Sequence, residues 1–332
     1  MLEIKTHKYL KEFLKTNPSN WNHLYSFGRI ISRFVRKKEN ILINSEIFLT
    51  EEWFPGILFS LFLNQENSNF VVKEFQLKYL LNEHLPLYRE FGFDFSVQNN
   101  QIIFLRHKIF IQTLESLLDN YYDYDFEKQN IIFTDVGSLK KDLKGIFRIT
   151  LYKKDWLNYV DSAVRKKNEL SKTYDLLKEK FFLRSFSNQT LMSLNIDELN
   201  LLKKVIKQNE NCSDKFAKLN KAFLSGWAFW IILDHDKFEW SLEVEPIDHL
   251  GEIRELFIKN NMIFLSSSRR DNFFKRYLTK NDIKLTTSIS FESSFIEKNI
   301  IIYIPSKLLL PNNPSFIKST IDNCKKFLFL SK

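Results

Sequence analysis

Cysteine, glycine and proline are scarce in this chain of 332 residues: two Cys, seven Gly and seven Pro. Two cysteines, Cys212 and Cys324, cannot build a disulfide framework, a four-cysteine zinc site or a four-cysteine iron–sulfur cluster. So little glycine and proline excludes a collagen-like or low-complexity chain. Long apolar runs are missing too. The most apolar run, Phe54 to Leu63, contains Pro55 and Gly56 and is about half the ~20 residues of a membrane span. Met1 to Lys5 lacks a basic region followed by an apolar core, so no signal peptide is expected. The expected compartment is the cytoplasm, with no membrane partner. Six histidines lie far apart and show no ligand spacing, so no metal site is expected.

Phenylalanine is abundant, at 33 residues, in a chain that is 44% hydrophobic and 27% charged. That apolar fraction is enough to offset the entropy of ordering, which excludes a disordered chain. The richness in Lys, Asn, Ile and Phe reads as nucleotide bias, so single charges and single aromatics carry little weight. The net charge of +9 permits an anionic partner without identifying one.

Apolar residues at helical spacing predict helices over 2–15 and from Leu24 to Val35, separated by Asn17-Pro18. Further on, short apolar runs alternate with helical segments. Strands are expected at 41–43, 70–72, 102–105 and 131–133. Helices are expected at 51–63, 73–90, 108–120 and 138–147. This alternation implies a parallel sheet with helices on both faces. The pattern changes near 153, where long polar segments of helical period suggest a mainly helical insertion over 153–226. From Trp227 the sequence turns β-prone and reads as a return to the first domain, over 227–313. It carries a helix at 248–260, a strand at 262–265, a helix at 270–279 and strands at 284–290 and 300–304. A final helix is expected at 314–328.

Ligands of such sheets bind beyond the carboxyl ends of the strands. After the first strand come Asn44, Ser45, Glu46 and, six residues beyond Asn44, Thr50. A phosphate-binding loop here needs glycines and a lysine, and neither is present. Thr50 could face Mg²⁺ or cap a helix, and capping is the stronger reading. After 131–133 comes a single acid, Asp135, where paired acids would hold Mg²⁺ and activate water; the alternative role is again a cap. Ser266, Ser267, Ser268, Arg269 and Arg270 follow the strand at 262–265. They suit phosphate binding and a solvated helix start about equally. A nucleic-acid surface would draw on Arg29, Arg33, Arg36, Lys37, Lys38, Arg165, Lys166, Lys167, Arg269 and Arg270. Trp227, Phe229, Trp230 and Trp240 could stack bases, although alternating aromatics in strands more often form core. Asp234-His235-Asp236 reads as a hairpin turn or a solvated edge rather than a metal cluster.

These loops in this order resemble the superfamily 2 DNA helicases of the DinG type, relatives of the XPD helicases. Trp21 to Arg29, with the helix to Val35, is similar to the family's adenine-side helix, Leu24 standing where the family has glutamine. Asn44 to Thr50 falls on the Gly-rich Lys loop. Leu105 to Phe110 is similar to the Asn-His-x-x-Leu segment, and Thr134-Asp135-Val136-Gly137 falls on the Asp-Glu-Ala-His box. Ser266-Ser267-Ser268 falls on Thr-Ser-Ala, a motif that couples the nucleotide and DNA sites. Ser293-Ser294-Phe295 matches Ser-Pro-Phe, and Tyr303 to Phe316 matches the Pro-Asn segment that precedes the second motor domain. The resemblance implies a RecA-like, P-loop NTPase-type first motor domain with an arch-like insertion. Residues 314–332 would begin the connection to a second motor domain. It also implies an ATP-dependent helicase lineage with ATP and Mg as cofactors and single-stranded or forked DNA as partner. Only the second acid of the Asp-Glu-Ala-His box is kept, as Asp135, and with Gly and Lys also missing the chain is expected to bind nucleic acid and not to hydrolyse ATP alone. The alternatives are an active helicase completed by a missing or separate second domain, and a protein-interaction scaffold with no nucleic-acid role; the partners expected besides DNA are a separate motor domain or a repair partner.

Overall fold

The structure, a computed structural model, describes residues 1–104, 106–121, 128–157, 164–185, 190–210, 213–267, 272–291 and 315–321. Residues 1–292 form one compact unit. Of the second unit, 316–321 are helical. The expected strand at 300–304 and the segments 293–295 and 303–314 lie outside the described residues. Among the described residues no helix is long and apolar enough to cross a membrane.

The first two helices are α1 (Leu2–Thr16) and α2 (Leu24–Lys37), each burying one apolar stripe. Lys38, in the left-handed region at φ 57°, closes α2 and turns the chain into β1 (Ile41–Asn44). Helix α3 (Phe54–Asn64) is buried from Phe54 through Phe62, as befits a helix enclosed by others. It lies close against α2. A Cβ placed on Gly28 would stand 3.5 Å from the Cα of Gly56. Beside this crossing, Ser32 Oγ lies 2.7 Å from Thr6 Oγ1 and 2.9 Å from Ser60 Oγ, a buried hydroxyl cluster joining α1, α2 and α3.

Strand β2 (Ser68–Val71) follows, then α4 (Glu74–Tyr79) and α5 (Leu85–Glu90). A π turn at Leu80–His84 joins these two helices just ahead of Pro86, which has no N–H to bond the preceding turn. Strands β3 (Ser96–Gln98) and β4 (Gln101–Ile103) form a hairpin whose two turn residues, Asn99 and Asn100, both have positive φ. Next come β5 (Lys108–Gln112), α6 (Leu114–Tyr121), β6 (Asn130–Phe133) and α7 (Val136–Phe147).

A second layer comprises β7 (Ile149–Leu151), α8 (Lys153–Leu157), α9 (Val164–Arg184), β8 (Leu191–Ser193), α10 (Ile196–Gln208), α11 (Asp214–Leu224), β9 (Ala228–Asp234) and β10 (Glu239–Glu245). The chain then resumes with α12 (Arg254–Lys259), β11 (Asn261–Ser266), α13 (Asn272–Lys280) and β12 (Thr287–Ser290).

The first sheet runs β12-β1-β11-β6-β2-β5-β4-β3 and is parallel from β12 through β5. Its side chains alternate between two cores. Ile41, Ile43, Ile132, Ile263 and Leu265 face the core of α1 to α5. Leu42, Ile131, Phe133, Met262 and Phe264 face the core of α6, α7, α12 and α13. This is the expected α/β sheet with helices on both faces.

Three expectations are corrected. Residues 108–112, expected in a helix, form β5, with Ile109 and Ile111 buried and paired with Ser68 and Phe70 of β2. The expected strand at 102–105 is instead the antiparallel β4, so the parallel partner of β2 is β5. The segment from 227 to 245 does not rejoin the first sheet. It makes the β9–β10 hairpin of an antiparallel sheet ordered β7-β10-β9-β8. Ile231, Leu233, Trp240, Leu242 and Val244 face Trp156, Tyr174 and Phe181 there, and that shared apolar surface draws the hairpin to the helices of the insertion. The predicted hairpin turn is found: Asp234 accepts the Lys237 N–H (3.0 Å). Phe229 and Trp240 lie on the core side, while Trp230 is half-exposed on the other face.

Burial lowers the pKa of His84 to about 4, and burial also lowers those of His107 and His249. His84 sits edge-on to Phe54 and Tyr79 with its Nδ1 buried and without a hydrogen-bond partner among the described residues. The unfolded chain takes up these protons near pH 6.5, before the folded one does. Stability is therefore full above about pH 6.5 and declines as pH falls toward 4. We expect His84 to contribute at most about 2 kcal/mol of loss between pH 7.5 and 5. Urea midpoints at both pH values should differ less in His84→Phe than in the wild type; an equal difference would contradict the assignment.

Candidate functional site

Strand order decides which loops share the carboxyl edge. β11 lies between β1 and β6, and β2 follows β6, so the loops after these four strands stand side by side. Asn44, Ser45, Ser266 and Asp135 therefore fall along one edge.

The loop after β1 does not form a phosphate cradle. Residues Glu46–Leu49 make a 3₁₀ turn that Ser45 caps. Its backbone donors are used within the protein. Ser45 N–H donates to the Ser266 carbonyl (2.9 Å), Ile47 N–H to Ser45 Oγ (3.4 Å), Phe48 N–H to the Ser45 carbonyl (3.2 Å) and Thr50 N–H to the Ile47 carbonyl (2.9 Å). Ile47 and Phe48 are buried, and Phe48 packs against Phe27 and Trp53. Thr50 Oγ1 donates to the Ile47 carbonyl (2.8 Å) and accepts from Glu52 N–H (3.4 Å), so it stabilises the next turn. Asn44 is buried, its carbonyl accepting from Phe291 N–H (2.9 Å) while its Oδ1 has no hydrogen-bond partner among the described residues. Glu46, at the start of the 3₁₀ turn, adds negative charge. The nucleotide and Mg²⁺ implied by the resemblance do not fit this loop as folded: the four N–H groups named are committed and apolar side chains fill its interior.

Between β2, β5 and β6 opens a cleft of about 570 Å³, lined by Lys73, Thr113, Thr134, Asp135, Lys141 and Asp142 among others. Gln76 ties its walls together, its Oε1 accepting from Lys73 N–H (3.2 Å) and Thr134 Oγ1 (3.1 Å). Asp135 holds the N-cap position of α7 but makes no capping bond with its side chain. Its Oδ2 lies instead 3.7 Å from Lys73 Nζ. Lys73 Nζ also bonds to Asp142 and Ser138, and Ser138 Oγ donates to Asp142 Oδ2 (2.8 Å). Asp135, Ser138 and Asp142, spaced i, i+3, i+7, share one face of α7. That spacing was a readable signal for Ser138 and Asp142; nothing local pointed to Lys73, which lies 69 residues before Asp142.

Ser266 is buried at the end of β11, with Ser267 beside it, while Ser268, Arg269 and Arg270 lie outside the described residues. Arg165, Lys166 and Lys167 fall on α9, and their side chains lie outside the description. Arg29, Arg33, Arg36, Lys37 and Lys38 are exposed. Arg36 pairs with Glu3 (2.6 Å), Lys37 with Glu39 (3.6 Å) and Lys38 with Glu66 (3.4 Å). The basic end of α2 leads into the amino end of β1, so it lies across the sheet from Asp135 and Ser266. His107 precedes β5 and stacks on Phe104 (4.5 Å), also at an amino end, away from Asp135.

No protein-family model matches this chain, and no curated protein matches it. Solved structures do. Xpd4 of S. tokodaii is 13% identical over 83% of this chain and 61% of its own, with a TM-score of 0.50. Two further XPD structures are similar, one an apo form and one an XPD helicase. The first is 13% identical, covers 80% of this chain and 57% of its own, and has a TM-score of 0.47. The second is 12% identical, covers 83% and 62%, and has a TM-score of 0.48. This chain thus spans about six-tenths of the length of the structures it matches. What the likeness to Xpd4 shows is architecture: this chain shares the α/β fold of that structure.

Proposed function

We propose that this chain is a helicase-fold protein that holds nucleic acid and does not hydrolyse ATP by itself. The observation that carries the reading is the committed set of backbone donors after β1. Phosphoryl transfer depends on positioning and on charge stabilisation by a phosphate cradle, a lysine and a metal. Here the cradle is a capped 3₁₀ turn, the loop has no lysine, and the acid Asp135 is paired with Lys73. Single-stranded or forked DNA is the proposed ligand. Its support is the net charge of +9 together with Arg29 and Arg33, exposed on α2 and without an ion-pair partner among the described residues.

Binding of a single-stranded oligonucleotide should weaken steeply as salt rises, the logarithmic slope being about −0.7 for each phosphate neutralised. The double variant Arg29→Ala/Arg33→Ala should flatten that slope by about 1.4. Fluorescence anisotropy across a salt series measures both. An unchanged slope would remove α2 from the interface, and binding that is absent or insensitive to salt would sink the nucleic-acid reading.

A further inference from the structure

The acid that follows β6 faces a cation supplied by the chain itself. Lys73 stands two residues beyond β2, and its side chain reaches α7, where Nζ contacts Asp135, Asp142 and Ser138. The three ionic side chains are each about one-third exposed, at 30, 33 and 35%. They therefore lie in the wall of the cleft rather than in the core. A carboxylate oxygen of each acid and the hydroxyl of Ser138 point at one ammonium.

We infer that Lys73 is a built-in counter-cation that closes the carboxylate pair on α7 to divalent metal. The inference deepens the reading of this edge as one that does not process nucleotide, and it rests on that reading. An ammonium has three donors and no lone pair, so it engages one oxygen of each carboxylate and contributes none of its own. Mg²⁺ demands near-octahedral oxygens at about 2.0–2.1 Å and gives up its waters reluctantly. To reach Asp135 it would have to displace Lys73 while the lysine stem, anchored at the start of α4, holds a second positive charge close by. The pair Asp135 and Asp142 is thus neutralised to one net negative charge without any metal. Lys73→Met keeps the unbranched stem and removes the charge, leaving two carboxylates and a hydroxyl facing one point.

The test is a Mn²⁺ titration of the full chain followed by electron paramagnetic resonance, without nucleotide. The wild type should show no Mn²⁺ binding that depends on Asp135. Lys73→Met should bind Mn²⁺ at least tenfold more tightly than the wild type, excess Mg²⁺ should displace it, and Lys73→Met/Asp135→Asn should lose the gain. Far-ultraviolet circular dichroism checks folding, and Lys73→Gln takes the place of Lys73→Met if the latter misfolds. Equal Mn²⁺ binding by wild type and variant overturns the inference, as does a gain that survives Asp135→Asn. ATP turnover by the wild type alongside the expected Mn²⁺ results would overturn the functional reading and leave the counter-cation standing. Absent turnover with equal Mn²⁺ binding would do the reverse.

Discussion

Gly56→Val should lower the stability of the chain by about 3 kcal/mol. A Cβ at Gly56 would lie 2.7 Å from Phe27 Cδ1, 3.1 Å from Phe27 Cε1 and 3.3 Å from Leu24 Cδ1. Phe27 cannot turn aside, because it is fully buried and packed against Trp21, Phe48 and Phe291. The extra volume must therefore separate α2 from α3. That separation also stretches the hydroxyl cluster, in which Ser60 Oγ reaches the Gly56 carbonyl (2.7 Å) and the Gly28 carbonyl (3.1 Å). Urea unfolding with an unchanged slope should show the loss as a lower midpoint. A midpoint within error of the wild type would mean that the two helices are not in the close contact described.

Trp240→Ala should cost about 3–5 kcal/mol, the range for deleting a large buried aromatic. Trp240 is the centre of the second layer's core. Its ring stacks on Tyr174 at 5.0 Å and meets Trp156 and Phe181 at 5.4 and 5.0 Å. Its Nε1–H donates to the Tyr174 carbonyl (3.1 Å), and Tyr174 Oη lies 3.2 Å from the Trp240 carbonyl. Removal leaves a cavity bounded by rigid rings that cannot collapse into it. Near-ultraviolet circular dichroism should lose most of the signal from this aromatic group, and the urea midpoint should fall. A loss below about 1 kcal/mol would contradict the description of this core.

Much of the first sheet was legible because its strands are unusually apolar for their length. Ile41-Leu42-Ile43, Ile131-Ile132-Phe133 and Met262-Ile263-Phe264-Leu265 are buried on both faces, so they read as continuous runs. β5 was not legible. Ile109 and Ile111 alternate in a stretch of five residues that runs almost directly into α6, and the apolar spacing of the combined segment mimics one helix. β8 is three residues long with a single buried side chain, Met192, which leaves no pattern to detect. The hairpin of β9 and β10 was seen as strands but assigned to the wrong sheet, since a strand's sequence does not state its partner.

At the site, chain order located Asn44, Ser45, Asp135 and Ser266 on one edge, because parallel strands all end there. What order could not supply was the use of the backbone donors after β1, three of them within the loop itself and one, Ser45 N–H, on the Ser266 carbonyl of the neighbouring strand. Nor could it supply Lys73, whose role arises from a contact between two loops far apart in sequence. The basic end of α2 lies at the amino edge of the sheet, opposite Asp135 and Ser266, because helix direction carries it into the start of β1.

ATP turnover tests most directly the proposal that the carboxyl edge of this sheet does not process nucleotide. Phosphate release by the purified chain, with Mg²⁺, with and without single-stranded DNA, should stay at the level of a no-protein blank. Turnover stimulated by DNA and abolished by Asp135→Ala would contradict the account, since it would require the loop after β1 and the Lys73–Asp135 pair to rearrange into a working site.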